Sequence, residues 1–288
     1  RGAWRYHPPS PARSTKPVAQ RKTPQLPLWI PRGRLVGAAP PAVRPQFSPA
    51  YLDFQRGIRM GNLEPRQRIT RILRHSLEQR HHTPFITDRW GRGVYWQWIC
   101  WLPLENRRAK PLSSKYNFGC AKFYITLDRD DQTFEAGLQI ERAALRGPPG
   151  DLRAQRDWDF FRLLAGLRRG TPLAAEVARL VRDEAFTVRA GPFGHRVEFR
   201  SANYRGPGPL ARACRAIPRD EWGAFQLCYV FPKDEILSMT GDEIVAAIED
   251  IFHELAPAVN LVMTVPCLKV SPARVAPPAG HRANSLFS

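Results

Sequence analysis

The sequence predicts an α+β fold. Its mainly antiparallel sheet is built from hairpins, amphipathic helices pack against it, and disordered proline-rich ends flank it. Three observations carry this expectation. Runs that alternate apolar and polar residues come in adjacent pairs rather than singly between helices. Segments with a 3.6-residue apolar period open on capping signals. Proline gathers at the two ends of the chain.

Eleven prolines fall within the first 59 residues, from Pro8-Pro9 to Pro49. Each removes a backbone donor and restricts the residue before it, so neither a helix nor a central strand is expected there. The stretch holds eleven basic residues and one acid, Asp53, for a net +10. It reads as disordered, either as sequence outside the native protein or as a basic tail adding non-specific affinity for nucleic acid. The first Met is Met60, and a single α+β domain is expected over residues 60–265. A second disordered tail is expected over 266–288, where Pro266, Pro272, Pro277 and Pro278 lie.

Within the domain, Glu64 to Arg80 is expected to be a helix. Ile69, Ile72, Leu73 and Leu77 share its apolar stripe, and Pro65 suits its first turn. Val94 to Leu102 reads as an aromatic-rich strand with Val94, Trp96, Trp98 and Cys100 on one face. Ala121–Leu127 and Thr133–Glu141 alternate strictly around the polar turn after Leu127 and form the strongest hairpin signal. Asp157 to Arg169 reads as a helix ending at Gly170. Thr171-Pro172 places an N-cap and a first-turn proline before Leu173, Val177, Leu180 and Val181. Phe186–Ala190 and His195–Arg200 form a second hairpin, and Phe225–Phe231 is a short apolar strand. Thr240 and Glu243 form a capping box for a helix expected to end near Pro257. Gly147–Gly150 and Gly206–Gly208 read as turns or exposed loops.

The 288 residues carry 44 Lys and Arg against 26 Asp and Glu, for a net +18. A 43% apolar content supports a sizeable core and excludes a wholly disordered chain. No run approaches the ~18 uncharged apolar residues of a membrane-spanning helix, so no membrane partner is expected. The charge is uneven. Residues 60–125 carry +8, residues 126–265 carry −3, and residues 266–288 carry +3. Only seven of the bases are Lys, which fits a GC-rich coding sequence, but that bias does not explain the clustering.

Several chemistries lack their signatures. There is no phosphate-binding glycine loop, nucleophile elbow or HExxH pair. The five cysteines have no CxxC spacing, so reduced thiols in a cytoplasmic protein are expected rather than zinc or disulfides. His81-His82 reads as helix-terminal surface. No cofactor is expected on the main reading.

That reading is a non-enzymatic nucleic-acid-binding domain whose basic and aromatic surface lies in residues 71–122. Its contact residues are Arg71, Arg74, Arg89, Trp90, Arg92, Arg107, Arg108, Lys110 and Lys115. Guanidinium and ammonium groups meet phosphates, and aromatic rings stack on bases. Trp90, flanked by Arg and Gly in a loop spanning Asp88–Gly93, is the aromatic most expected to be exposed, whereas Trp96 and Trp98 are expected to be core. An alternative is a Mg²⁺-dependent nuclease or phosphodiesterase using Asp128, Glu135 and Glu141, since acids around a hairpin can share a metal. That arrangement wants a nearby Lys, which neither Glu has at the required offset. A further alternative is a protein–protein interaction domain, marked by a large apolar patch away from the basic loops.

Overall fold

A computed structural model describes residues 45–110, 117–142, 145–147, 150–152, 157–218 and 221–270. All of them lie in one unit, Ala38–Ser288. Leu52–Asp53 (β1) and Gly57–Arg59 (β2) pair antiparallel around a turn. In that turn the Asp53 carboxylate accepts from the Gln55 and Arg56 amides at 2.9 and 3.0 Å. Disorder through residue 59 is therefore corrected: the fold reaches upstream of Met60. Phe47, Leu52, Phe54 and Ile58 are buried, and this apolar area anchors the segment despite Pro45 and Pro49. Leu268 is buried as well and exchanges backbone hydrogen bonds with the Asn260 side chain, so the ordered chain also passes residue 265.

The expected first helix is Ile69–His81 (α1), preceded by a separate 3₁₀ turn, Pro65–Gln67. Phe85–Arg92 (β3) and Tyr95–Pro103 (β4) form a hairpin, so the stretch around Asp88 to Gly93 is strand and tight turn. Leu104–Arg108 is a short helix (α2). Lys122–Asp128 (β5) and Thr133–Arg142 (β6) form the hairpin expected from their alternation, with Phe123 opposite Leu138. Leu145–Gly147 (β7) and Gly150–Leu152 (β8) make a separate two-stranded ribbon. Asp159–Gly166 (α3) and Pro172–Arg182 (α4) follow, with Thr171 accepting from the Ala174 amide at 3.2 Å as N-cap.

Thr187–Pro192 (β9) and Val197–Phe199 (β10) are the second hairpin. Pro207–Arg215 is a helix (α5) where only a turn was expected; Pro207 occupies its first turn. Gly223–Pro232 (β11) leads into Lys233–Ser238 (α6). The capping box of Thr240 and Glu243 then opens Gly241–Val262 (α7). This last helix does not stop near Pro257 but runs through it. Ala256, Ala258, Val259 and Val262 are all buried, and that burial outweighs the one backbone bond the proline forgoes.

The nine-stranded sheet is antiparallel throughout, in the order β1-β2-β4-β5-β6-β11-β9-β10, with β3 on β4. The longer helices gather on one face. There Phe123, Ile125, Phe134, Leu138, Ile140, Phe225 and Leu227 are buried. Phe252 of α7 stacks on Phe123 at 4.7 Å and meets Trp101 at 5.9 Å. Burial of each such side chain contributes ~1.5–3 kcal/mol. The opposite face carries Trp90, Trp98, Lys122, Tyr124, Glu135, Gln139, Glu141, Gln226 and Arg189, as their cross-strand pairing fixes. Among the described residues, no helix is long and apolar enough to cross a membrane.

Candidate nucleic-acid interface

The β3–β4 hairpin owes its shape to a bulge. Trp90 lies opposite Trp98 but Gly91 opposite Trp96, leaving Gln97 as the extra residue. Gly91 sits at φ +148°, and a Cβ there would lie 2.6 Å from the Trp96 Cα. Glycine is therefore required at this point. The bulge interrupts the alternation expected for Trp96 and Trp98. Trp98 is pinned, its indole N–H donating to the Gln139 Oε1 at 3.2 Å. Trp96 instead receives the Arg89 guanidinium, 3.7 Å above its ring. Both indoles are half-buried, whereas Trp101 is wholly buried. Trp90 is 57% exposed, the most exposed large apolar side chain of the described residues.

The β1–β2 turn adds cations beside this hairpin. Arg59 pairs with Tyr95 in the sheet, and the Arg56 guanidinium lies 5.7 Å from the Tyr95 ring. The amides of Met60 and Gly61 both donate to the Val94 carbonyl, which ties this segment to the hairpin tip. Arg59 Nε is buried and has no hydrogen-bond partner among the described residues. Arg56 keeps 69% of its side chain exposed and is only 3.8 Å from Asp53. The structure thus brings Arg56, Arg59 and Tyr95 to the same end of the hairpin as Arg89 and Trp90, which point to opposite faces of β3. The readable signal for Arg56 and Arg59 was the pattern Tyr51-Leu-Asp-Phe54, turn, Gly57-Ile-Arg59, masked by the proline count around it.

The other expected contacts divide. Arg71 and Arg74 are exposed on α1, Arg74 engaged by Glu78 at 2.9 Å. Arg108 is exposed and Arg107 half-buried, both on α2 rather than in a loop. Arg92 pairs with Tyr95, and its side chain is not among those described. Lys115 lies outside the described residues. Lys110 does not belong to any surface. It is fully buried, and its ammonium donates to Asp159 Oδ1 at 2.7 Å, Asn106 Oδ1 at 3.0 Å, Thr264 Oγ1 at 3.0 Å and the Asn106 carbonyl at 3.2 Å. A buried cation persists only when paired in this way.

The hairpin acids are also engaged. Asp128 accepts from the Asp130 and Asp131 amides, each at 3.0 Å, which is turn chemistry. Glu141 pairs with Lys122 at 2.9 Å. Glu135 pairs with Arg189, which also holds Glu198 at 2.8 Å. Glu135 and Glu141 stand six residues apart on one strand, roughly 20 Å at ~3.3 Å per residue, so they do not converge on one ion. Among the described residues no group of three or more His, Cys, Asp and Glu side chains is placed to hold a metal. Burial alone would depress the Lys122 ammonium, but the adjacent Glu141 carboxylate outweighs it and holds the pKa above its usual value. Likewise burial raises Glu198, yet its bonds to Arg189 leave the carboxyl below the usual range.

His81 and His82 part company. His82 is the exposed left-handed cap of α1, but His81 is buried and its Nδ1 accepts from the Lys269 amide at 3.1 Å. Cys100, Cys120, Cys214 and Cys228 are buried free thiols, and Cys267 is half-buried.

No protein-family model matches the chain, and no curated protein sequence matches it.

Proposed function

We propose that this protein binds nucleic acid through the tip of the β3–β4 hairpin and the adjoining β1–β2 turn. The observation that carries this reading is an exposed Trp90 indole on one side of a hairpin end that bears two guanidiniums near rings, Arg89 3.7 Å above Trp96 on the other side of β3 and Arg56 5.7 Å from Tyr95. A guanidinium lying flat on an aromatic ring keeps its N–H edge free for phosphate, and the stacking fixes its position in advance. Arg59, half-buried and paired with Tyr95 in the sheet, adds a cation in the same neighbourhood. The reading takes Arg89, Trp90 and Arg92 from the expected set, adds Arg56 and Arg59, and leaves out Lys110.

The test is a titration of the full chain with labelled oligonucleotide at several salt concentrations. The basic stretch 1–59 contributes equally to native and variant proteins, so the comparison isolates the hairpin. Arg89→Ala is expected to weaken binding across sequences and to reduce the salt slope by about 0.7–0.9. Trp90→Ala is expected to weaken binding with the slope retained. Two variants that bind like the native protein would refute the site, and absence of binding at low salt would refute the function.

A further inference from the structure

We infer that residues 266–270 form a latch held shut by His81, and that acid opens it while the helices stay packed. The device stands apart from the proposed nucleic-acid site. Two anchors hold the segment after α7. Asn260 of α7 donates to the Leu268 carbonyl at 2.8 Å and accepts from the Leu268 amide at 3.0 Å. His81, the last residue of α1, accepts from the Lys269 amide through Nδ1 at 3.1 Å. Leu268, at these anchors, is buried. Upstream, Thr264 is fixed independently, its amide on Asn106 Oδ1 at 2.9 Å and its hydroxyl accepting from Lys110 at 3.0 Å, so the opening ends there.

A neutral imidazole has one donor and one acceptor nitrogen. Nδ1 accepts, so the ring proton sits on Nε2, which is buried and has no hydrogen-bond partner among the described residues. A second proton enters at Nδ1, where it meets the Lys269 N–H and ends that bond. The ring is therefore either latched or charged. The groups around it set the balance. Arg80 and His82 of α1 and His253 of α7 repel a charge there. Glu249 of α7 lines the same small void between the helices as Arg80, His81 and His253, and Asp250 is placed against Arg80 and His253. Burial raises both carboxyls, which weakens their pull as pH falls. β3 presents the uncharged Phe85 ring at 6.0 Å. The latch itself brings Lys269 and the Cys267 thiol. Burial, helped by this repulsion, holds the closed His81 at a pKa of about 4, and opening returns the ring towards its ordinary value of about 6.5. The open form thus binds the proton first, and acid favours it.

The experiment is hydrogen exchange of the full chain followed by mass spectrometry, with protection corrected for the intrinsic rate at each pH. Between pH 7.5 and pH 5 the Leu268 and Lys269 amides are expected to lose protection about tenfold to thirtyfold, as the two pKa values allow, while α1 and α7 keep theirs. His81→Gln keeps an acceptor for the Lys269 amide but does not titrate, so its latch is expected to be equally protected at both pH values. His253→Gln leaves both anchors in place and is expected to keep the fall. Native protection that does not change with pH overturns the latch, whatever the variants do. So does a fall that survives in His81→Gln, or one that α1 and α7 share, which is unfolding rather than release.

Discussion

Replacing Lys110 by Met should destabilise the fold severely while leaving nucleic-acid affinity intact. Both Lys110 and Asp159 have no exposed side-chain surface, and the three N–H donors of the ammonium have four acceptor oxygens within 3.2 Å. Met keeps the stem and removes the charge. The Asp159 carboxylate would retain the Asn106 amide at 2.8 Å, the Ala121 amide at 2.7 Å and the Thr264 hydroxyl at 3.3 Å, but no cation. Breaking a buried pair from one side costs ~3–5 kcal/mol. A domain of this size loses about 2–4 °C of Tm per kcal/mol, so a fall of roughly 6–20 °C is expected. Circular dichroism during heating measures it. Adding Asp159→Asn, which removes the stranded charge and keeps an acceptor, should recover part of the loss. A Lys110→Met protein whose Tm falls by less than about 1 °C would refute the argument. One that melts as expected yet binds oligonucleotide poorly when folded would return Lys110 to the interface.

Burial pushes the His81 pKa down to about 4, with Arg80, His253 and His82 adding repulsion. The unfolded chain therefore binds the extra proton first, near pH 6.5, so stability is full above that pH and is lost as pH falls towards 4. His253, also lowered by burial, acts in the same direction, whereas Glu249 and Asp250, raised by burial, oppose it. His81→Gln keeps an acceptor for the Lys269 amide and should flatten this dependence in urea titrations at pH 7.5 and pH 5; an unchanged profile would count against it. Thiol chemistry offers a second check. Burial raises the Cys120 thiol to about 11 and the Cys214 and Cys228 thiols to about 12, and it raises Cys100 further. At pH 8 a disulfide reagent should modify Cys267 first and slowly, since burial raises that thiol to about 11 too. All five should react only in denaturant; rapid native labelling of the other four would contradict their burial.

Elements specified by nearby residues were legible in the sequence. The β5–β6 hairpin follows from strict alternation on both sides of an Asp-rich turn, and Thr171 and Thr240 mark their helices through a cap within three residues. The failures have a common physical cause, which is that distant partners decide. Asp88 to Gly93 resembled a loop because it holds two glycines, yet Gly91 serves a bulge defined by Trp96 on the next strand. Pro257 resembled a stop, yet the surrounding residues are buried and the helix continues. Residues 45–59 resembled their proline-rich surroundings, yet Ile58 pairs with Trp96. Lys110 looked like one more base in a basic run, and its carboxylate partner lies 49 positions away. For the site, Trp90 was legible because a Trp between Arg and Gly has no apolar neighbours to bury it. Arg56 and Arg59 were not, since only the sheet brings them to Tyr95 and the hairpin.

The distribution of charge over the folded unit bears on which parts can attract an anion from a distance. On the sheet face opposite the helices, the buried Lys122 and Arg189 and the half-buried Arg196 stand against Glu135, Glu141 and Glu198, an even balance. Their hydrogen bonds fix a unique arrangement of strands but project little net field. At the hairpin end, Arg56, Arg59 and Arg89 are opposed by Asp53 and by Asp88. Asp88 is held by the Asn117 amide at 2.8 Å and by the Arg89 backbone at 2.8 Å. The excess positive charge therefore lies at the hairpin end of the sheet. Salt dependence should accordingly report on the cations of the tip, and Trp90→Ala should lower affinity by the same factor at every salt concentration. A Trp90→Ala deficit that vanishes in high salt would show that the ring acts by placing charge, and the division between steering and stacking would fail.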